Sequence, residues 1–179
     1  MKKTIALVSQ SNVAIVSCAV VVLSLLAQVS IPIPFTPVPI TGQTFAVSFI
    51  ALMLGRKRGV AAVLAYLCIG AAGLPVFASG KSGIGGATTG YLIGMLLGAW
   101  LMGTLSDRGW TKSFRKTLLA TYAGSFCVFS CGLLVLSLFI PLEGLLVAGL
   151  YPFLLGDLLK NILAAMLVTK TDNFFGGQS

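Results

Sequence analysis

Histidine is absent from the 179-residue chain, and carboxylates are scarce: Asp107, Glu143, Asp157 and Asp172 are the whole set. Without an imidazole and with so few acids, the usual general base and most metal ligand sets have nothing to be built from, so the chain is not expected to be an enzyme. Charge of either sign is thin, at 9% of residues against 57% apolar. A soluble domain carries about 25% charged residues, so this chain cannot cover a globular surface, and its solvent is expected to be largely lipid. Cysteine is limited to Cys18, Cys68, Cys127 and Cys131. All four fall inside apolar runs rather than in loops, which argues against a disulfide framework or zinc knuckle and predicts small, buried apolar residues.

What the sequence does contain is long apolar segments. Six candidate spans stand out, at about 13–28, 40–54, 59–73, 89–105, 118–140 and 145–168. They predict an all-α integral membrane protein of six transmembrane helices in a single domain, 1–179, with no soluble appendage. The second and third are short for a full crossing, so they are expected to be little tilted, broken, or extended by loop residues. If the spans alternate, ten of the twelve basic residues fall on one side, around 2–3, 56–58, 108–116 and 170. Lys81 alone falls on the other, and Lys160 lies within the sixth span. That asymmetry predicts both termini in the cytoplasm and accounts for the net charge of +8 without invoking nucleic acid. Anionic headgroups suffice to explain the basic loops, and a cytoplasmic protein partner is a further use for them.

The two long outer connections differ from plain polar linkers. Segment 31–39 holds four of the seven prolines and no charge. Proline at that density excludes helix and favours stiff, extended backbone, so the segment reads as a lid over the outer mouth, or alternatively as a membrane-surface anchor. Segment 74–89 is rich in glycine and small hydroxyl residues, a backbone able to approach a ligand closely. Within it, Gly80-Lys81-Ser82 ends like a phosphate-binding loop, but Pro75 stands where the motif needs glycine. Any ATP hydrolysis must therefore come from another chain. Residues 15–18 pass superficially for a lipoprotein cleavage box, yet their setting predicts a retained first span. Gly90, Gly94 and Gly98 repeat every four residues and predict close helix packing within the chain. Ala14 and Cys18 form a weaker pair of the same kind on the first span, suited either to internal packing or to docking a partner helix.

Asp157 and Lys160 carry the most information, being the only opposite charges within the predicted spans. At i,i+3 they share a helix face, and each costs at least about 2.5–3.5 kcal/mol at the bilayer centre, so they should point into the bundle. Pro152 and Gly156, just before them, suggest a local kink. The pair reads as a binding site or as a self-neutralising structural lock. As a site it suits a neutral polar head with both N–H donors and a carbonyl, such as a cyclic urea or amide. Phe35, Phe77, Tyr91 and Tyr151 lie near the outer ends of the spans and supply apolar walls. Gln43 and Thr44 add neutral polar contacts, and Lys81 is a donor for an anionic tail.

Three stretches together resemble the BioY family, the biotin-specific substrate-binding (S) components of energy-coupling factor (ECF) transporters. They are PFTPVPITGQTF at 34–45, GAAGLPVFA at 70–78 with GYLIG at 90–94, and YPFLLGDLLK at 151–160. The resemblance implies a six-helix S-component-like bundle in the cytoplasmic membrane of a prokaryote, which captures biotin from outside. It implies a transmembrane coupling protein and two cytoplasmic ATPases as partners, with ATP used only by those subunits and no cofactor here. The ureido ring would be held by Asp157 and Lys160, and the fused rings walled by Phe35, Phe77, Tyr91 and Tyr151. Gln43, Thr44, Ser79 and Lys81 would be polar contacts, and Ala14 and Cys18 the contact with the coupling protein. The loop after the first span would close over the ligand. Gly42 stands where the family pattern has a larger apolar residue. Other classes compatible with the composition are a stand-alone or proton-coupled carrier in which Asp157 titrates, and a structural membrane protein.

Overall fold

The computed structural model describes residues 2–176, with side chains from 11 to 174; within the predicted 1–179 domain, residue 1 and residues 177–179 lie outside the described residues. The chain forms α1 (Lys2–Gln28), β1 (Ser30–Ile31), β2 (Ile40–Thr41), α2 (Gln43–Ala71), α3 (Thr89–Asp107), α4 (Phe114–Leu136), α5 (Leu145–Gly149) and α6 (Tyr151–Gly176). Among the described residues, four segments are long and apolar enough to cross a membrane: 11–28, 89–107, 114–136 and 142–174.

Large apolar side chains lie on the outside as well as in the core, unlike in a soluble protein. Large apolar side chains such as Leu25, Phe126, Leu134 and Leu155 face outward, while Ala19, Ala27, Ala51, Ala62 and Ala120 are buried. Lipid accepts the bulky residues, and small ones let the helix backbones approach. The α3–α4 contact shows the second effect: a Cβ on Gly94 would stand 2.6 Å from Val128 Cα, and one on Gly98 3.1 Å from the Gly124 carbonyl oxygen. The glycine repeat is therefore spent on packing inside the chain.

Helix α2 contains a break that the sequence marks with three basic residues. Gly55 has φ 73° and ψ −178°, a conformation that side chains other than hydrogen rarely tolerate. The chain folds back there, because Gly59 packs against Ala51 closely enough that a Cβ on it would lie 2.8 Å from Ala51 Cα. In an unbroken helix those residues would be about 12 Å apart. The two halves remain together further along, where Gln43 Nε2 donates to Tyr66 Oη at 2.6 Å. The end of α3 secures the break: the Asp107 carboxylate accepts the Arg56 N–H at 3.3 Å, and Ser106 Oγ donates to the Leu52 carbonyl at 2.6 Å. The predicted spans 40–54 and 59–73 are thus the two arms of α2.

Other boundaries move. Helix α4 ends at Leu136 and not at 140, because residues 137–140 continue the apolar run as turns. The predicted span 145–168 is divided: Leu150 leaves helical geometry (φ −134°, ψ −60°), separating α5 from α6, and Pro152 sits in the first turn of α6, where its missing N–H costs nothing. The expectation of buried cysteines is corrected: Cys18 and Cys68 are exposed, and Cys127 and Cys131 half-buried. Against lipid, an apolar thiol has no need of an interior.

Candidate functional site

A cavity of about 410 Å³ opens at the end of the bundle opposite the basic turn at Gly55. Its roof begins at the end of α1. Strands β1 and β2 pair antiparallel, Ser30 with Thr41 and Ile31 with Ile40, so the proline-rich segment is a short hairpin loop. Pro37, Val38 and Pro39 on its returning arm line the cavity, with Val38 buried. Gly42 closes the hairpin by donating its N–H to the Val29 carbonyl at 2.9 Å. A Cβ there would stand 2.5 Å from the Leu26 carbonyl oxygen, so the close approach of the hairpin to α1 requires glycine in this chain.

One wall is the Gly-rich segment after α2. Gln28 pins it to α1: Nε2 donates to the Phe77 carbonyl at 3.2 Å and Oε1 accepts the Gly80 N–H at 3.0 Å. The Phe77 ring lies over Gly70, where any side chain would collide with it, and meets Tyr66 edge-on at 5.3 Å. Tyr66 Oη in turn donates to the Val76 carbonyl at 3.1 Å. Gln43, the other partner of that hydroxyl, lines the cavity with Thr44 and Phe77. Tyr91 is buried against Gly132, and its Oη donates to the Gly149 carbonyl at 2.7 Å, which presents its ring rather than its hydroxyl to the cavity. Lys81 is exposed at the mouth.

The floor holds the two charged groups. Among the described residues Asp157 and Lys160 form no ion pair; each has neutral partners of its own. Asp157 accepts from Ser125 Oγ and from Asn161 Nδ2, both at 2.8 Å. Lys160 Nζ donates to the Thr41 carbonyl at 2.7 Å and to Thr44 Oγ1 at 3.4 Å. A carboxylate has about four acceptor positions and an ammonium three protons, so both keep unused capacity while lining the cavity. Met95, Phe129 and Phe153 complete an apolar lining.

The structure thus brings together Asp157, Lys160, Gln43, Thr44, Tyr91, Phe77 and Lys81 around one cavity. It does not bring Phe35, Tyr151 or Ser79 to the lining. Phe35 and Tyr151 are mostly exposed, at 64% and 55%. Ser79 donates to Ser30 Oγ at 3.0 Å, tying the Gly-rich segment to the hairpin. Tyr151 lies six residues before Asp157, roughly two-thirds of a helical turn out of phase, whereas Phe153 at i−4 shares its face. Phe153 is absent from the sequence reading, and that phase is the signal that would have found it. Ala14 and Cys18 are exposed on α1, away from the cavity.

A second cavity, about 340 Å³, lies at the basic end beside Asp107, Lys112 and Asp172. Its carboxylates tie elements of the fold together, Asp107 through the Arg56 N–H and Asp172 through Thr111 Oγ1 at 3.2 Å, and its lining lacks the aromatic walls of the outer cavity, which is therefore the better candidate.

Comparisons with known proteins agree with that geometry. The family model described as BioY family matches residues 1–176. The biotin transporter BioY of Thermotoga maritima is 38% identical over 144 residues, covering 78% of this chain and 84% of that protein. The biotin transporter BioY of Rhizobium etli is 34% identical over 168 residues, covering 86% and 87%. The crystal structure of the S-component for biotin from an ECF-type ABC transporter superposes with a TM-score of 0.83 at 29% identity, covering 92% of both chains.

Proposed function

The chain belongs to the BioY family, and from that membership and its outer cavity we propose that it takes up biotin as the substrate-binding component of an ECF transporter. The observation that carries the binding mode is the separation of Asp157 from Lys160. Two opposite charges that satisfied each other would be a lock, whereas these two, each held by neutral groups, offer an acceptor and a donor to the same space. The urea of biotin has two N–H donors and one carbonyl acceptor. Asp157 accepts an N–H, Lys160 donates to the carbonyl, and the aromatic lining of Phe77, Tyr91, Phe129 and Phe153 covers the fused rings. Thr44, beside the Lys160 ammonium, and Gln43, held by Tyr66, border the head group. Lys81 at the mouth is the counter-charge for the valerate carboxylate. The lid residues Val38 and Pro39 exclude water from above, which strengthens each polar contact below.

The same reading gives the chain six crossings as one transmembrane domain in a prokaryotic cytoplasmic membrane. Supporting it are the hairpin of α2 at Gly55 and the placement of Arg56, Lys57, Arg58, Arg108 and Lys112 at the end opposite the cavity. Both chain termini then face the cytoplasm. Uphill transport requires a transmembrane coupling protein and two ATPases, since the chain carries no nucleotide motif. The exposed small residues Ala14 and Cys18 suit close contact with a helix of the coupling protein. Reconstitution tests the division of labour: liposomes holding this chain alone should bind biotin without concentrating it, and adding the partner module with ATP should produce accumulation. Uphill uptake by the chain alone would contradict the proposal.

A further inference from the structure

Behind the cavity floor lies a small closed polar ring that joins Asp157 of the lining to two residues the lining does not include, Ser125 and Asn161. Asn161 is 2% exposed and sits one helical turn below Asp157 on α6, while half-buried Ser125 reaches across from α4. Asn161 Nδ2 donates to Asp157 Oδ2 at 2.8 Å and to Ser125 Oγ at 2.9 Å. Ser125 Oγ, accepting that hydrogen bond, donates its own hydrogen to Asp157 Oδ1 at 2.8 Å. Every hydrogen in the ring therefore runs toward the carboxylate, and both of its oxygens are acceptors. The ring also joins α4 to α6 one turn below Phe129 and Phe153, the apolar walls.

Such groups are expensive in an apolar bundle, and another polar side-chain contact between α4 and α6, Thr117 with Thr169 at 3.0 Å, joins the helices about two turns away without touching a charged group. The ring's geometry has one result: the carboxylate plane is fixed from behind, and the remaining lone pairs are turned toward the cavity. We propose that Ser125 and Asn161 are positioning residues that hold Asp157 as a pure acceptor, and thereby select a ligand presenting an N–H donor at the cavity floor. The inference rests on the assignment of biotin to this site and adds the residues that make its recognition of the ureido group directional.

The test is titration calorimetry of the purified full chain with biotin, using wild type, Ser125→Ala, Ser125→Thr and Asn161→Leu, with the melting temperature of each unliganded protein measured alongside. Ser125→Ala should weaken biotin by about tenfold or more, the scale of one hydrogen bond to a charged group, with little change in melting temperature. Ser125→Thr, which keeps the hydroxyl while adding bulk, should recover affinity to within about threefold of wild type. Asn161→Leu should weaken binding at least as much as Ser125→Ala. Wild-type affinity in a folded Ser125→Ala protein, or failure of a folded Ser125→Thr protein to recover binding, would overturn the positioning role. Absence of biotin binding in folded wild type would instead overturn the assignment of the ligand. Should Asn161→Leu not fold, the alanine–threonine comparison at 125 decides alone.

Discussion

Lys160 of α6 donates to the backbone carbonyl of Thr41 at 2.7 Å, so the cation on the cavity floor also grips the strand that closes the lid hairpin. Floor and roof share one side chain. Without that ammonium, β2 loses a charge-assisted bond, and the hairpin rests on its own short ladder, the Gly42 to Val29 bond and the Ser79 to Ser30 bond at the other strand. Hydrogen exchange of the unliganded protein should therefore be faster across residues 29–42 in Lys160→Met than in wild type, with α3 and α4 unchanged. Equal exchange would separate the lid from Lys160.

The walls make a second prediction. Phe153 shares the face of Asp157 and lines the cavity, whereas Tyr151 points outward. Removing a buried aromatic ring forfeits about 2–3 kcal/mol of apolar contact. Phe153→Ala should thus weaken biotin binding by a factor of tens, while Tyr151→Ala stays within about twofold, as expected for an exposed site. Titration of the two variants side by side checks the helical phase directly.

The pattern of what was legible follows from the solvent. Asp157 and Lys160 stood out because charge within an apolar run has few reasons to exist. The turn at Gly55 was legible from Arg56, Lys57 and Arg58, although the Asp107 cap that secures it comes from another helix and leaves no local trace. The cysteines misled because burial is the habit of thiols in water, whereas Cys18 and Cys68 are exposed on apolar helices. Tyr151 and Phe35 were placed by their proximity to the outer ends, which gives depth but not direction around a helix or along a hairpin. The end of α4 at Leu136 was hidden because residues 138–140 are as apolar as the helix they follow.

Gly55 supplies a prediction about stability. Any side chain there meets both a left-handed backbone and the Asp107 carboxylate, which occupies the space of the missing Cβ. Gly55→Ala should destabilise the protein by about 1–3 kcal/mol, read as a lowered melting temperature in detergent. Gly144→Ala, at a glycine with φ −97° and open space around it, is the control and should melt as wild type.

Topology is tested by labelling. In a background with the four native cysteines replaced by alanine, Lys81→Cys should react with an impermeant maleimide in intact cells, and Lys57→Cys only after the membrane is permeabilised. Labelling of both from the same side would remove the hairpin crossing of α2 and the six-span count with it.

The most direct test of the account is titration of the detergent-purified protein with biotin, beside Asp157→Asn and Lys160→Met variants shown to be folded. Saturable binding by wild type, weakened by about a hundredfold in each variant as expected for loss of one partner of a desolvated charged contact, is the predicted result. Binding by both folded variants at wild-type affinity would contradict it, and would make the two charges supports of the fold rather than the grip on the ligand.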